Sequence, residues 1–313
     1  MKLVEKKWWW GLVSLGIISL GILIGVGRMA NGKSAMNMGI DFVGGTSMVL
    51  KLDALDTLQR EGTVSKQTMD QKTTQLISNV RKILQSVGFS HTQIQLTDDL
   101  ELVIKTSQHS SVQNHQIRDA LAKELGPLEV IEVDYIGPSI GHELRNTSLL
   151  LVILVSAGLM GYITLRFEFA YGVGALASTL HDAILTLALA SIFYIEIDTA
   201  FVAALLTILG YSINDTIVIF DRIRENLSKV NTRLIDVNTV VNQSIIETFG
   251  RTINTVVTVL IVLVALLVFG GNTIQSFCLT LLLGTLVGTY SSICVASPAM
   301  IMAYRRPIKS EVS

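Results

Sequence analysis

Cysteine is almost missing from this chain of 313 residues: there are two, Cys278 and Cys294, in one apolar run. On a helix their sixteen-residue separation is about 24 Å, too far for a disulfide. A disulfide framework and a cysteine metal site are therefore excluded. Charge is scarce as well, at 16% of residues against about 25% in an ordinary soluble domain. The net charge is −1, so no basic field marks a partner nucleic acid. Four of the five histidines, His91, His109, His115 and His142, are scattered without metal-ligand spacing and read as solvated surface. No metal site and no catalytic cluster is expected. What abounds is apolar side chain, 50% of the chain at a mean hydropathy of +0.54. That excludes disorder and speaks against a soluble enzyme.

The few charges are unevenly spread. Residues 28–146 hold 26 of the 49 charged side chains, and the remainder of the chain is membrane-like. Residues 8–27, 147–165, 252–271 and 274–304 carry no charge, 169–195 carries only Asp182, and 199–220 only Asp215. Each run is near or above the ~20 apolar residues that a spanning helix needs. The first is longer than the ~7–15 residues of a signal-peptide core and opens on Trp8-Trp9-Trp10, an interfacial signature, so it reads as a retained span. Six spans result, with one large polar domain between the first and second. With segments 1–7, 221–251 and 305–313 and the turn at Arg166 on the inside, the short inner segments collect twelve Lys and Arg and the short outer loops none. The positive-inside rule therefore puts both termini in the cytoplasm and residues 28–146 outside it.

Within that domain the pattern is strand, helix, strand, strand, helix, strand. Strands are expected at 47–52, 93–97, 100–106 and 128–135, with Asp98-Asp99 as a hairpin turn, and helices at 65–87 and 112–125. This order predicts a ferredoxin-like α+β sandwich.

Two motifs match by letter and fail on context. Gly27 to Ser34 spells a P-loop, but a membrane span precedes it where a strand is required, so no nucleotide is expected. Gly137-Pro138-Ser139-Ile140-Gly141 spells a nucleophile elbow, but reads as a linker into span two. Gly21/Gly25 and Gly284/Gly288 are G-x-x-x-G pairs, read as close helix packing.

Ionisable groups inside a span are costly and functional by default. Asp215 lies six residues, about 9 Å, from the inner boundary at Asp221, and Arg251 stands at the same boundary on the next span. A carboxylate between burial, which disfavours its charge, and a guanidinium, which favours it, is suited to load and release protons. His181-Asp182, Asn214 and Thr216 are possible supporting polar groups. The bland reading of all of them is interhelical hydrogen bonding.

Three stretches carry a resemblance. Gly39-Ile40-Asp41-Phe42-Val43-Gly44-Gly45-Thr46 follows span one. Leu205-Leu206-Thr207-Ile208-Leu209-Gly210-Tyr211-Ser212-Ile213-Asn214-Asp215-Thr216 runs into Phe220-Asp221-Arg222-Ile223-Arg224-Glu225-Asn226. Gly288-Thr289-Tyr290-Ser291-Ser292-Ile293 lies in span six. Together they resemble the SecF family of bacterial protein-export membrane proteins over nearly the whole chain. The resemblance implies an RND-like arrangement of six spans in the inner membrane and a non-enzymatic role. It implies SecD as partner, the SecYEG channel and translocating preproteins as further contacts, and protons as coupling ion with no resident cofactor. It implies proton passage by Asp215 and Arg251. The three glycines among residues 39–46, Gly39, Gly44 and Gly45, with Asp41, are read as a flexible membrane-proximal linker. Two other classes stay open: an RND-type proton-coupled exporter, which calls for a second external domain and six more spans, and a passive scaffold for SecD at the channel. The topology is checked by a cysteine placed at Gln113, which should react with an impermeant thiol reagent added outside intact cells; labelling only after lysis reverses the orientation.

Overall fold

The computed structural model describes residues 4–52, 66–89, 92–97, 101–106, 111–230, 236–271 and 274–304. The turn expected at Asp98-Asp99, His91 and His109, and the basic tail from Arg305 lie outside them. In chain order the main elements are α1 (Lys7–Ala30), β1 (Gly45–Leu52), α2 (Lys66–Ser86), β2 (Thr92–Leu96), β3 (Glu101–Thr106), α3 (Ser111–Leu125), β4 (Leu128–Ile136) and α4 (Pro138–Arg166). They continue as α5 (Phe169–Phe193), α6 (Thr199–Lys229), α7 (Val237–Phe269), α8 (Gln275–Ser291), a π-helical turn (Ser292–Ala296) and α9 (Ser297–Ala303). Among the described residues six stretches, on α1, α4, α5, α6, α7 and α8–α9, are long and apolar enough to cross a membrane. The chain divides into two compact units, Met1–Asn37 with Leu149–Val268 and Ser276–Ser313, and Met38–Ser148 with Phe269–Gln275.

The second unit is an antiparallel sheet of order β2-β3-β1-β4, which for a βαββαβ chain is the ferredoxin-like topology expected. Register follows from alternation. Met48 and Leu50 on β1 pair with Ile104 and Leu102 on β3, and Ile94 and Leu96 extend the same apolar face on β2. Val80 and Leu84 of α2 and Ile117 and Leu121 of α3 bury against that face. Each such side chain contributes roughly 1.5–3 kcal/mol of burial. One correction concerns Gly137–Gly141: the helix α4 begins at Pro138, one residue after β4, so Pro138–Gly141 is a first helical turn rather than a linker. Proline's fixed φ and missing N–H suit that first position.

In the helical unit α5 is the hub, packed against α1, α6, the π turn and α9. Its small residues explain this. A Cβ on Gly174 would fall 2.6 Å from the Ala296 carbonyl oxygen and 2.9 Å from Phe220, and one on Gly21 would fall 2.9 Å from the Ala188 carbonyl oxygen. Gly288 stands likewise against Ser212 and Gly284 against Ile208. The G-x-x-x-G pairs are thus spent on close packing inside the chain. Tyr171, Phe220, Ile223 and Met300 fill the centre of the apolar cluster, with the Tyr171 and Phe220 rings edge-on at 5.2 Å. The ends of α5 and α6 are closed by side chains. Arg28 of α1 donates to the Ser191 carbonyl at 2.5 Å and lies 4.4 Å over the Tyr194 ring, supplementing the backbone cap at the end of α5. Asp198 caps α6 by accepting from the Phe201 N–H at 2.8 Å.

Gly174→Ala should lower the thermal midpoint in detergent, because backbone sits where the methyl must go; a loss of about 1–3 kcal/mol is expected. Gly158→Ala on α4, where a Cβ meets nothing within 4 Å, should be neutral or mildly stabilising. Equal effects in the two variants would remove close packing as the reason for Gly174.

Candidate functional site

The α6 sequence places Ile208, Ser212, Asp215, Thr216 and Ile219 on one buried face, at the three- and four-residue spacings that align side chains on a helix. Asp215 is 6% exposed. Its Oδ1 accepts from Thr252 Oγ1 of α7 at 3.3 Å. Its Oδ2 is buried, with no hydrogen-bond partner among the described residues. Arg251, the residue before Thr252, is exposed. Among the described residues no ion pair joins it to Asp215. Sequence spacing brings the two to neighbouring positions on α6 and α7, but the guanidinium is not closed onto the carboxylate. Thr216 meets Ser292 of the π turn at 2.9 Å, and Ser292 in turn reaches the Ser212 carbonyl at 3.1 Å. Asn214 points to the exposed side of α6 and takes no part in this cluster.

A second polar cluster surrounds Asp182, which is fully buried on α5. Its Oδ1 lies 3.1 Å from His181 Nδ1, and its Oδ2 accepts from Ser212 Oγ at 2.5 Å. His181 Nε2 lies 2.8 Å from Ser14 Oγ of α1. Ser212 therefore touches Asp182 and precedes Asp215 by three residues, so α6 connects the two clusters. Ser14, Ser212, Thr252, Tyr290 and Ser292 were not singled out from the sequence. Only Ser212 carried a signal in the sequence, a hydroxyl three residues from the in-span charge of Asp215; the other four lie on spans without charge. Where α6 ends and α7 begins, Arg222 bonds Glu247 at 2.5 Å and Glu225 at 2.7 Å, and Asn226 donates to Glu247 at 2.9 Å. These contacts tie the two helices where the spans leave the apolar layer.

Gly39–Thr46 is folded rather than a free tether. Ile40–Val43 makes one helical turn that carries Asp41 and buries Phe42, and the Gly44 N–H closes it on the Ile40 carbonyl at 2.8 Å. Gly44 (φ 79°) and Gly45 (φ 155°) then turn the chain into β1, conformations that glycine alone adopts freely. Gly141 of α4 lies against this corner: a Cβ there would fall 2.9 Å from the Gly44 nitrogen. The third residue of the elbow-like string, Ser139, is exposed, and the glycine after it has a packing role. The P-loop-like string also resolves into other structure, since residues 27–30 are the last turn of α1.

Six apolar helices with carboxylates buried among them define a multi-pass membrane protein with ionisable groups inside its bundle. Residues 116–306 match the family described as protein export membrane protein SecD/SecF, C-terminal, and residues 33–54 match the SecD/SecF GG motif. Among curated relatives, the protein translocase subunit SecF of Sebaldella termitidis is 37% identical over 88% of this chain and 85% of its own length. That of Thermodesulfovibrio yellowstonii is 36% identical over 93% and 91%. The crystal structure of SecDF from Thermus thermophilus, titled a translocon-associated membrane protein, superposes with a TM-score of 0.75 at 30% identity over 97% of this chain. A structure of SecDF in a super-membrane-facing form gives 0.66. The chain spans 38% of each of those two solved chains. The chain belongs to the SecD/SecF family of protein-export membrane proteins, and the RND-like six-helix arrangement and the resemblance read from its sequence are borne out.

Gly141→Val should open the α+β unit to limited proteolysis in the full chain and lower its unfolding temperature, because a branched side chain meets the Gly44 backbone. Gly137→Ala, whose added carbon would meet only the Tyr135 ring at 3.9 Å, should leave both unchanged. Resistance unaltered in the valine variant would show that the corner yields without cost.

Proposed function

We propose that this chain is an accessory subunit of the Sec translocase that works with SecD at the SecYEG channel. It uses the proton gradient to promote preprotein export across the bacterial cytoplasmic membrane. The names of its relatives support the translocase role. The observation that supports proton coupling is Asp215: a buried carboxylate on α6, one oxygen held by Thr252 of α7 and the other without a hydrogen-bond partner among the described residues. A charge crossing the membrane yields ~2.3 kcal/mol per 100 mV, so a group that takes up a proton on one side and releases it on the other has a driving force. In this reading Arg251 is the switchable partner. Its guanidinium stands exposed beside the site and gates the carboxylate when the helices shift.

The test is reconstitution into vesicles with SecD and the channel. Asp215→Asn keeps the volume and removes the titrating group, so insertion and association with SecD should be normal while gradient-dependent stimulation of export is lost. Arg251→Lys keeps the charge but not the planar fork and should retain part of the activity. The chain without SecD should conduct no protons. Full stimulation by Asp215→Asn, or stimulation that survives an uncoupler, refutes proton coupling and leaves the passive scaffold.

A further inference from the structure

A hydroxyl or carboxylate oxygen buried without a partner costs about 1–3 kcal/mol, so each one calls for an explanation. Among the described residues of the helical unit three are of this kind: Thr186 Oγ1, Tyr211 Oη and Asp215 Oδ2. Two of them lie on α6, four residues apart, and side chains so spaced are neighbours on one face of a helix. The hydroxyls around them on α6 are taken. Thr207 donates to the Ala203 carbonyl at 2.8 Å, Ser212 donates to Asp182 at 2.5 Å, and Thr216 meets Ser292 at 2.9 Å. Tyr211 therefore has a hydrogen to give, and Asp215 Oδ2 has a lone pair to receive one.

The two oxygens are not hydrogen-bonded to each other, and helix geometry gives the reason. Side chains on an α-helix lean toward its N-terminus. By that rule the Asp215 carboxylate belongs over the turn of Tyr211, and the tyrosine ring over the turn before it, at Thr207. Hydroxyl and carboxylate follow one another along α6 with a gap between them, close enough that Tyr211 feels the Asp215 charge. A polar pair just beyond direct reach is what a water molecule bridges, and a buried water needs at least two such partners.

We propose that Tyr211 is the relay residue through which Asp215 is reached from the outer side: its hydroxyl and Asp215 Oδ2 hold one water between them. This rests on the role proposed above for Asp215 as proton carrier. In the topology that the basic residues imply, α6 enters the membrane from outside at Thr199, so Tyr211 stands about 6 Å nearer the outer surface than Asp215. A hydrated proton arriving from that side binds to Oη. The hydroxyl's own hydrogen passes to the water, and one of the water's hydrogens passes to Oδ2. Each O–H bond that breaks is matched by one that forms, so Tyr211 and the water end as they began and Asp215 ends neutral. The Thr252 bond to Oδ1 stays in place throughout, and the inner side is left to Arg251.

The test uses the full chain with SecD and the channel in lipid vesicles. The infrared band of the protonated Asp215 carboxyl is assigned by its loss in Asp215→Asn. Tyr211→Phe keeps the ring and removes only the hydroxyl. Insertion and association with SecD should be normal, the Asp215 band should shift, and most of the gradient-driven stimulation of export should be lost. Tyr290→Phe removes a hydroxyl that serves the Trp10 carbonyl instead and should leave the band in place. A band unmoved by Tyr211→Phe overturns the pairing. A shifted band with full export stimulation overturns the relay and leaves the Asp215 reading standing. Full stimulation by Asp215→Asn sinks that reading and the relay with it, while the band shift still reports the pairing, so the two fail separately.

Discussion

A lipid-facing bundle has little water with which to satisfy its polar groups, so most hydroxyls, the imidazole and the carboxylates in it turn to the backbone of their own helix or to a side chain on another. That constraint organises the helical unit. Asp182 is served from α5 and α6, His181 from α1, Asp215 from α7, and Thr216 from the π turn. Such bonds are modest one by one, averaging about 0.6 kcal/mol in membrane proteins. They form because helix backbones come close, and the backbones come close because glycine, alanine and serine stand at the crossings. Small residues set the distance and hydroxyls use it.

The same ordering explains which parts of this protein were legible in its sequence. The six spans were, because each is a run of uncharged residues bounded by charge. The α+β unit was, because alternation at Ile94, Leu96, Leu102 and Ile104 differs from the helical spacing of Leu76, Val80 and Leu84. Asp215 and Asp182 stood out as charges where charge is expensive. Their partners did not, since Ser14, Thr252 and Tyr290 are ordinary letters until the fold brings residues hundreds of positions apart to within a hydrogen bond. The Gly137–Gly141 reading failed for a related reason. A glycine that leads into an apolar helix looks like part of a linker, and the backbone of Gly44 shows that Gly141 needs to be small.

The membrane helices also differ in how much of each is used. On α5 the buried face runs nearly its whole length, whereas α4 is exposed from Leu149 to Leu154 and again near Leu165. A hub helix bonded on several sides transmits displacement, and a peripheral one is free to tilt. The polar clusters lie on the hub and on its neighbour α6, so a change of charge there acts on the part of the bundle with the most contacts.

The order of strands has a consequence for synthesis. β1 is central in the sheet, yet its second neighbour is β4, the last strand to be made, and the corner at Gly44 is closed only by Gly141, about a hundred residues later. Joining such distant segments carries a loop-closure cost that no shorter piece of the chain can repay. The ferredoxin-like unit therefore cannot finish folding while its own strands emerge. It completes as α4 begins, so the ribosome releases the start of the second membrane helix and the last piece of the sheet as one continuous stretch. Until then the newly made domain has three of its four strands, with β1 left as an unpaired edge that only β4 covers.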